Sequence, residues 1–556
     1  MEELVKATLA EAVKSLADKD EAIELDYPDE RFGDFSCNVA IKLAGQLGRN
    51  PHELANEIAD LAKAKLSSQI SEISIAGPGF INIRLSDSAI LSEIKDEPEQ
   101  PLKGQSTVVE YSDPNPFKSL HAGHLYTSIV GDSIANLLAV GGADVHRVNY
   151  GGDVGLHVAK SLWAMLDFLG GENPDKLSEI DKNKHSEWMS DMYVLGNTAY
   201  DKDETAKASI TELNKRLYDI QARGDHNSPL AKIYWTTRTW SYEEFDRFYS
   251  RLNIHFDKFY PESAVANIGL SIVNEQLDKG VFKRSDGAVV FDGEKYGLHT
   301  RVFVNSRGLP TYEGKELGLA QLKKQDFNMT RSIIITGNEQ QQYMAVVLKA
   351  ISLFAPDLAN LTTHFTHGIV RLSGGKKMSS REGNILKAEA VLDAAENAAA
   401  KLSKHKDERV VLAAVKYAFL KQRMGGDIVY EPEESVNILG NSGPYLQYAH
   451  ARANSVLAKA EGDIVEFSSS LQPGERQLAL KLSRYASAVN MAIKELSPHL
   501  LCTYLYDLAQ IFNRFYEANR VIGDEREAFR LYLTKIYMKR LGQGLKMLGI
   551  EAPDRL

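Results

Sequence analysis

Cysteine is scarce. Cys37 and Cys502 are the two in 556 residues, and they lie far apart, so the chain offers neither a CxxC zinc knuckle nor a disulfide framework, and no protein-bound zinc is expected. Long apolar runs are missing as well. No stretch approaches the roughly 18 residues of a membrane span, and the opening residues read as a charged helix without the apolar core of a secretory signal. No membrane partner is expected, and the location expected is cytoplasmic. An excess of positive charge is also lacking, with 65 Lys and Arg against 75 Asp and Glu and a formal net charge of −10. That balance argues against a protein that simply coats nucleic acid, so any RNA contact must use local basic faces.

The rest of the composition is that of a globular protein, 44% hydrophobic and 25% charged, and its length exceeds a single core. Residues 1–94 read as a small α/β domain. Asn50-Pro51 supplies a helix cap and a proline at the first helical position, and Leu54, Ile58, Leu61 and Leu66 give that helix an apolar stripe. Ile81, Ile83 and Leu85 alternate with Asn82 and Arg84, the pattern of a strand with one wet face. The Pro- and charge-rich stretch 95–104 reads as a linker. Residues 105–404 alternate strand and helix, interrupted at about 165–250 by charged helical segments without a chemical motif. From 405 to 556 the pattern is of helices alone, with stripes such as Leu478, Leu482, Tyr485, Val489 and Leu501, Leu505, Leu508, Phe515.

The chain is organised around Val108 to Arg147. Val108 and Val109 open a buried strand, Asp113, Pro114 and Pro116 break it, and Leu125, Ile129, Ile134, Leu137 and Leu138 recur at helical spacing. Gly141 and Gly142 stop the helix and Val145 to Tyr150 reads as a second strand. This βαβ unit requires parallel strands and a right-handed crossover. At its carboxyl end, where such sheets bind ligands, stands His121-Ala122-Gly123-His124, just before a helix whose free N–H groups and dipole favour an anion. Two imidazoles there can donate to phosphate oxygens, and Gly123 lets a flat ring lie against the backbone. H-x-x-H is also a metal-ligand spacing and a common cap, and these four residues alone do not decide among the readings. A second stretch, Gly374-Gly375-Lys376-Lys377-Met378-Ser379-Ser380-Arg381, is a Gly-flanked loop carrying the donors that polyphosphate needs.

HAGH followed far downstream by KMSSR resembles the paired signatures of class I aminoacyl-tRNA synthetases. Glu110-Tyr111-Ser112-Asp113-Pro114-Asn115 leading through Lys118 to HAGH, and Asn149-Tyr150-Gly151-Gly152-Asp153 beyond it, are similar to the arginyl-tRNA synthetases in particular. The likeness continues in Ala76-Gly77-Pro78-Gly79-Phe80 and in Gly443-Pro444-Tyr445-Leu446-Gln447-Tyr448-Ala449-His450. The resemblance implies a Rossmann-type parallel-sheet catalytic domain, a small N-terminal α/β domain that contacts tRNA, and a C-terminal helical bundle that reads the anticodon.

It also implies ATP with Mg²⁺, L-arginine and tRNA(Arg) as partners of a monomeric ligase. His121 and His124 would donate to the phosphates beside Gly123. Lys377, Met378, Ser379, Ser380 and Arg381 would hold the leaving pyrophosphate, and no metal ligand comes from the protein. In many family members a lysine at the place of Lys118 compensates for a missing lysine at the end of the second loop; this chain has both Lys118 and Arg381. Carried onto the family motif, Tyr312, Glu316 and Gln340 would bind the guanidinium, and Ser112, Asn115 and Glu110 the amino-acid end. Two departures stand out: Lys315-Glu316 replaces the usual Arg-Asp, and Val154 replaces a tryptophan. In the bundle, Tyr448, Arg452, Arg514 and Tyr516 are candidate tRNA contacts, with Tyr537, Lys539 and Arg540 interleaved as base stacking would need. Two rival readings are a class I ligase for another amino acid and a non-catalytic RNA-binding paralogue; retention of both phosphate-binding elements argues against the second.

Overall fold

A computed structural model of the chain describes residues 1–373, 386–402, 407–461, 464 and 470–556. Near the start, β1 (Phe35–Cys37), β2 (Ile70–Ala76) and β3 (Phe80–Leu85) form an antiparallel sheet in the order β1-β3-β2. Helices Glu2–Ala17 and Pro51–Lys65 pack with it, the latter capped by Asn50 Oδ1, which accepts from His52 N. The face of β3 expected to be wet is not: Asn82 is buried. As the middle strand, β3 sets Asn82 between Ser36 and Ser74, and small polar neighbours cover it.

The central sheet is parallel throughout. It begins with β4 (Ser106–Glu110), β5 (Asp144–Gly151) and β6 (Lys258–Pro261), with helix Ala122–Val140 crossing between the first two. A meander follows, β7 (Lys283–Ser285), β8 (Ala288–Phe291) and β9 (Arg301–Val304), turned at Asp286 and Gly287, whose φ values of 49° and 77° are those a tight two-residue hairpin needs. Then β10 (Arg331–Gly337) and β11 (Thr362–His367) complete the order β11-β10-β4-β5-β6. Val108, Val109, Ile333 and Ile335 are wholly buried, as strands covered on both faces require. The chain travels one way from β4 and the other way from β10, so the crevice between their carboxyl ends is the switch point where such sheets hold ligands.

Between β5 and β6 the helices Leu156–Leu169, His185–Lys202, Glu204–Arg223 and Pro229–Leu252 build a core of their own. The C-terminal region is not helical alone. Strand β12 (Val370–Leu372) pairs in parallel with β13 (Ile428–Tyr430), a strand too short to carry a periodic signal. The two backbones approach so closely before it that a Cβ on Gly368 would lie 2.2 Å from the Gly426 carbonyl oxygen.

One continuous apolar core runs from Val5 through helix Ala122–Val140 to Ile550, so the bundle is part of the body that supports the sheet. The stretch 95–104 is likewise docked. Arg540 donates to Glu97 (2.7 Å) and to the carbonyls of Ile94 and Asp96, and Asn490 accepts from Glu99 N. Arg476 grips Asp34 with two bonds of 2.9 and 2.7 Å. These contacts correct the expected RNA role of Tyr537 and Arg540. Tyr537 is buried, stacked on Phe512 at 3.8 Å, and Arg540 is a buried clamp on 94–97, because their helix is packed on nearly every side.

Candidate active site

His121 is the cap of helix Ala122–Val140. Its Nδ1 accepts from Gly123 N and the Nδ1 of His124 accepts from His121 N, each at 3.1 Å, so the two imidazoles form a reciprocal capping box. The rings stack with centroids 3.7 Å apart. Burial, with the nearby Lys118 and His367, lowers His121 to about 4 and also holds His124 well below the usual imidazole range. Both rings are therefore neutral, and with Nδ1 engaged as acceptor each carries its proton on Nε2. The result is a pair of N–H donors at the positive end of a helix. The room left by Gly123 is taken by His121 itself, since a Cβ there would lie 2.8 Å from the His121 ring. Lys118 stands over the Tyr193 ring at 4.7 Å, its ammonium lowered to about 8 by burial.

Around the end of β4 the structure gathers carboxylates. Glu110 is buried and ion-paired with Lys323. Asp113 Oδ1 accepts from Tyr150 N at 2.8 Å. Glu316, on the first turns of helix Tyr312–Phe327, accepts from the Tyr343 hydroxyl at 3.1 Å and has no ion-pair partner among the described residues. Burial raises the carboxyls of Asp113 and Glu316, and the charge of Glu110 raises them further, Glu316 to about 8. With Lys323 committed to Glu110, a carboxylate raised in this way gains from any cation brought beside it. The loop that carries Asp113 is strained, with Ser112, Asp113 and Phe117 at φ 77°, 49° and 68°. Hydrogen bonds hold it: Ser112 Oγ with Tyr249 Oη at 2.8 Å, Phe117 N to Ser241 Oγ at 3.0 Å, and Gly152 N to Asn115 Oδ1 at 2.8 Å.

Tyr312 begins its helix with its hydroxyl 3.4 Å from His157 Nδ1, and Lys315 pairs with Glu262 at 2.5 Å. Gln340 follows β10 in the turn Asn338–Gln340. Val154 is buried among insertion residues. Ser112 and Asn115 lie on the loop that follows Glu110 at the end of β4, Gln340 follows the neighbouring β10, and Tyr312 and Glu316 share one helix. Sequence reasoning did not single out Asp113 or Lys323, which share a loop and a helix with residues it did, nor His157, Tyr343 and His367, which come from other elements. His367, at the end of β11, meets Thr127 Oγ1 at 2.5 Å, and Thr127 in turn donates to the Gly123 carbonyl. Lys377, Met378, Ser379, Ser380 and Arg381 lie outside the described residues. In the bundle, Tyr448, Arg452, Arg514 and Tyr516 are all exposed. Asn513 links Arg452 (3.1 Å) to the Tyr445 hydroxyl (2.9 Å), joining helices Gly443–Ala458 and Pro498–Ala518.

Three family models match the chain in succession: the arginyl tRNA synthetase N terminal domain over residues 1–85, the catalytic domain of tRNA synthetases class I (R) over 87–431, and the DALR anticodon binding domain over 446–556. The arginine–tRNA ligase of Flavobacterium psychrophilum is 30% identical, the match covering 91% of this chain and 90% of that one. That of Phocaeicola vulgatus is 29% identical with both chains wholly covered. The solved arginyl-tRNA synthetase of Thermus thermophilus superposes over the whole of both chains with a TM-score of 0.79 at 26% identity. Likeness of this kind extends from the first helix to the last, and the chain belongs to the class I arginyl-tRNA synthetases, the ligases that attach arginine to tRNA(Arg).

Proposed function

We propose that the crevice between β4 and β10 activates L-arginine with ATP, and that Glu316 receives the guanidinium. One observation carries this reading: a buried carboxylate that has a phenol beside it and no cation of its own. Five guanidinium N–H groups need acceptors, which Glu316, the Tyr312 oxygen and Gln340 supply. Ser112 and Asn115 take the amino-acid end, where Glu110, though paired with Lys323, still acts through its negative charge.

The substrate carboxylate attacks the α-phosphorus of ATP and the bond to the β-phosphate breaks, giving arginyl-adenylate and pyrophosphate. A ribose hydroxyl of the tRNA end then attacks the carbonyl and AMP departs. No side chain forms a covalent intermediate. His121 and His124 donate from Nε2 to oxygens on which charge grows, Lys118 adds positive charge beside them, and Lys377, Ser379, Ser380 and Arg381 retain the pyrophosphate. Mg²⁺ would come with the nucleotide, neutralising charge on its phosphates; the imidazole N–H donors of His121 and His124 suit oxygen, not a cation.

We read the chain as three units, 1–94, 105–404 with its insertion at 165–250, and 405–556, the stretch 405–431 bridging the last two through β13. The exposed set Tyr448, Arg452, Arg514 and Tyr516 is assigned to tRNA. We propose a monomer that acts where its tRNA substrate is, in the cytoplasm; no helix among the described residues is long and apolar enough to cross a membrane. Aminoacylation of total tRNA with each labelled amino acid tests the reading: arginine alone should be attached, and preferential attachment of any other amino acid would refute it.

A further inference from the structure

We infer that His157 is a positioning residue that sets the hydrogen-bond polarity of Tyr312, making its phenol oxygen an acceptor toward the substrate. The inference rests on the assignment of Tyr312 to the guanidinium pocket. His157 lies in the first turn of helix Leu156–Leu169, just past the carboxyl end of β5, and is buried. Its Nε2 is 2.6 Å from the Gly152 carbonyl oxygen, which can only accept, so the ring proton is on Nε2. Lys118, Lys160 and Lys315 all bear on the ring, and with burial they keep it neutral. Its Nδ1 is then a bare lone pair, 3.4 Å from the Tyr312 hydroxyl, so the phenol proton points at His157. What Tyr312 offers to the crevice is oxygen lone pairs.

That polarity discriminates between ligands of nearly identical shape. A guanidinium is donor on every nitrogen and needs acceptors, whereas citrulline, its neutral isostere, ends partly in a carbonyl that needs a donor. A free phenol could turn to serve either; one whose proton is held by His157 serves only the first. The same imidazole also fixes the far end of the pocket. The Gly152 peptide it holds by the carbonyl gives its N–H to Asn115 Oδ1 at 2.8 Å, and there is no room for a side chain between them, a Cβ on Gly152 lying 2.4 Å from that oxygen. His157 therefore ties the Asn115 end to the Tyr312 end.

Pyrophosphate exchange with arginine and citrulline, on His157→Phe, His157→Gln, Tyr312→Phe and the double variant His157→Phe/Tyr312→Phe, tests this. His157→Phe should raise the arginine KM about 10- to 100-fold, the worth of one hydrogen bond to a charged group, with kcat nearly unchanged and a lower preference for arginine over citrulline. His157→Gln, whose amide can both donate to Gly152 and accept from Tyr312, should restore most of both, and the double variant should lose less than the two single losses combined, what it loses beyond Tyr312→Phe being the Gly152 contact. An unchanged KM and preference in His157→Phe, additive losses, or failure of Gln to restore would overturn the inference while leaving the pocket assignment intact. An unchanged KM in Tyr312→Phe would instead remove the pocket assignment and this inference with it. Nitrogen NMR of the unaltered enzyme gives a check independent of folding of the variants: His157 Nδ1 should be unprotonated with and without arginine, and a protonated Nδ1 would refute the proposal.

Discussion

Lys323 reaches back along its helix to Glu110 and leaves Glu316, two turns before it, without an ion-pair partner. If arginine supplies that partner, Glu316→Gln keeps the shape and removes the counter-charge. Arginine binding should weaken by about 2 to 5 kcal/mol, the cost of truncating one member of a buried charged pair, while the KM for ATP stays near that of the parent. Steady-state kinetics in both substrates decide it; an unchanged kcat/KM for arginine would assign the guanidinium elsewhere.

Glu316 also predicts a pH dependence. Its carboxyl is raised to about 8 in the free protein by burial and by Glu110. The folded chain binds that proton more tightly than the unfolded chain, so the group's contribution to stability is full below its ordinary value of 4.5 and is lost as pH rises through 8. Capture of a guanidinium drives the proton off. Arginine affinity should therefore rise roughly tenfold per pH unit up to about 8 and level off above it. Calorimetry in buffers of differing ionisation heat reads the released proton directly. Without arginine, Glu316→Gln should melt higher than the parent near pH 8.5 and about equally near pH 4.5; an arginine affinity flat between about pH 6 and 9 would exclude this account.

Gly123 serves the His121 ring. Gly123→Ala places a methyl 2.8 Å from that ring, so the imidazole must leave its cap and its Nε2–H loses its aim. The activation rate should fall by roughly 10² to 10³, as it should for His124→Ala, the usual loss for one transition-state donor. Stability should fall by only about 1 kcal/mol, the worth of a helix cap. Near-normal pyrophosphate exchange in both variants would remove the histidines from the phosphate site.

Asp34 and Arg476 join the N-terminal sheet to the bundle through two bonds, both side chains buried. Asp34→Ala leaves the guanidinium with its ion pair to Asp87, at 3.4 Å, and should cost about 3 kcal/mol, the lower end for a broken buried pair. Thermal unfolding should show the loss as a lower melting temperature, and replacing both residues together should recover part of it. Equal melting of Asp34→Ala and the parent would show the pair to be dispensable.

Much of this architecture was legible because its signals are local. The break at Asp113 to Pro116, the apolar spacing from Leu125 and the glycines at 141 and 142 define a βαβ unit without help from elsewhere, and Tyr312 and Glu316 fall on one helix. Tyr343 and His367 come from other elements than Glu316, and Lys323, though on the Glu316 helix, reads in sequence as an ordinary solvated lysine; nothing in their surroundings marks them. His157 had a signal, its place just past the carboxyl end of β5, which is where open parallel sheets hold ligands. Tyr537 and Arg540 misled because a helix packed on nearly every side buries even its polar positions. Strand β13 escaped notice because three residues carry no period.

The covering of helix Ala122–Val140 has a consequence for how the enzyme is made. Ser133 donates to the Met547 carbonyl at 3.2 Å, and Lys416 holds the carbonyls of Leu252 and Gly549 at 2.7 and 2.6 Å. The helix that carries both imidazoles is translated well ahead of part of the surface that covers it, the Ser133–Met547 bond spanning 414 positions. Through most of translation that helix waits with apolar flanks exposed, a binding surface for holding chaperones. The helix that the imidazoles cap is fully covered only when the bundle packs on its far half, so a chain released from a stalled ribosome before that point would expose apolar surface and be a substrate for proteolysis.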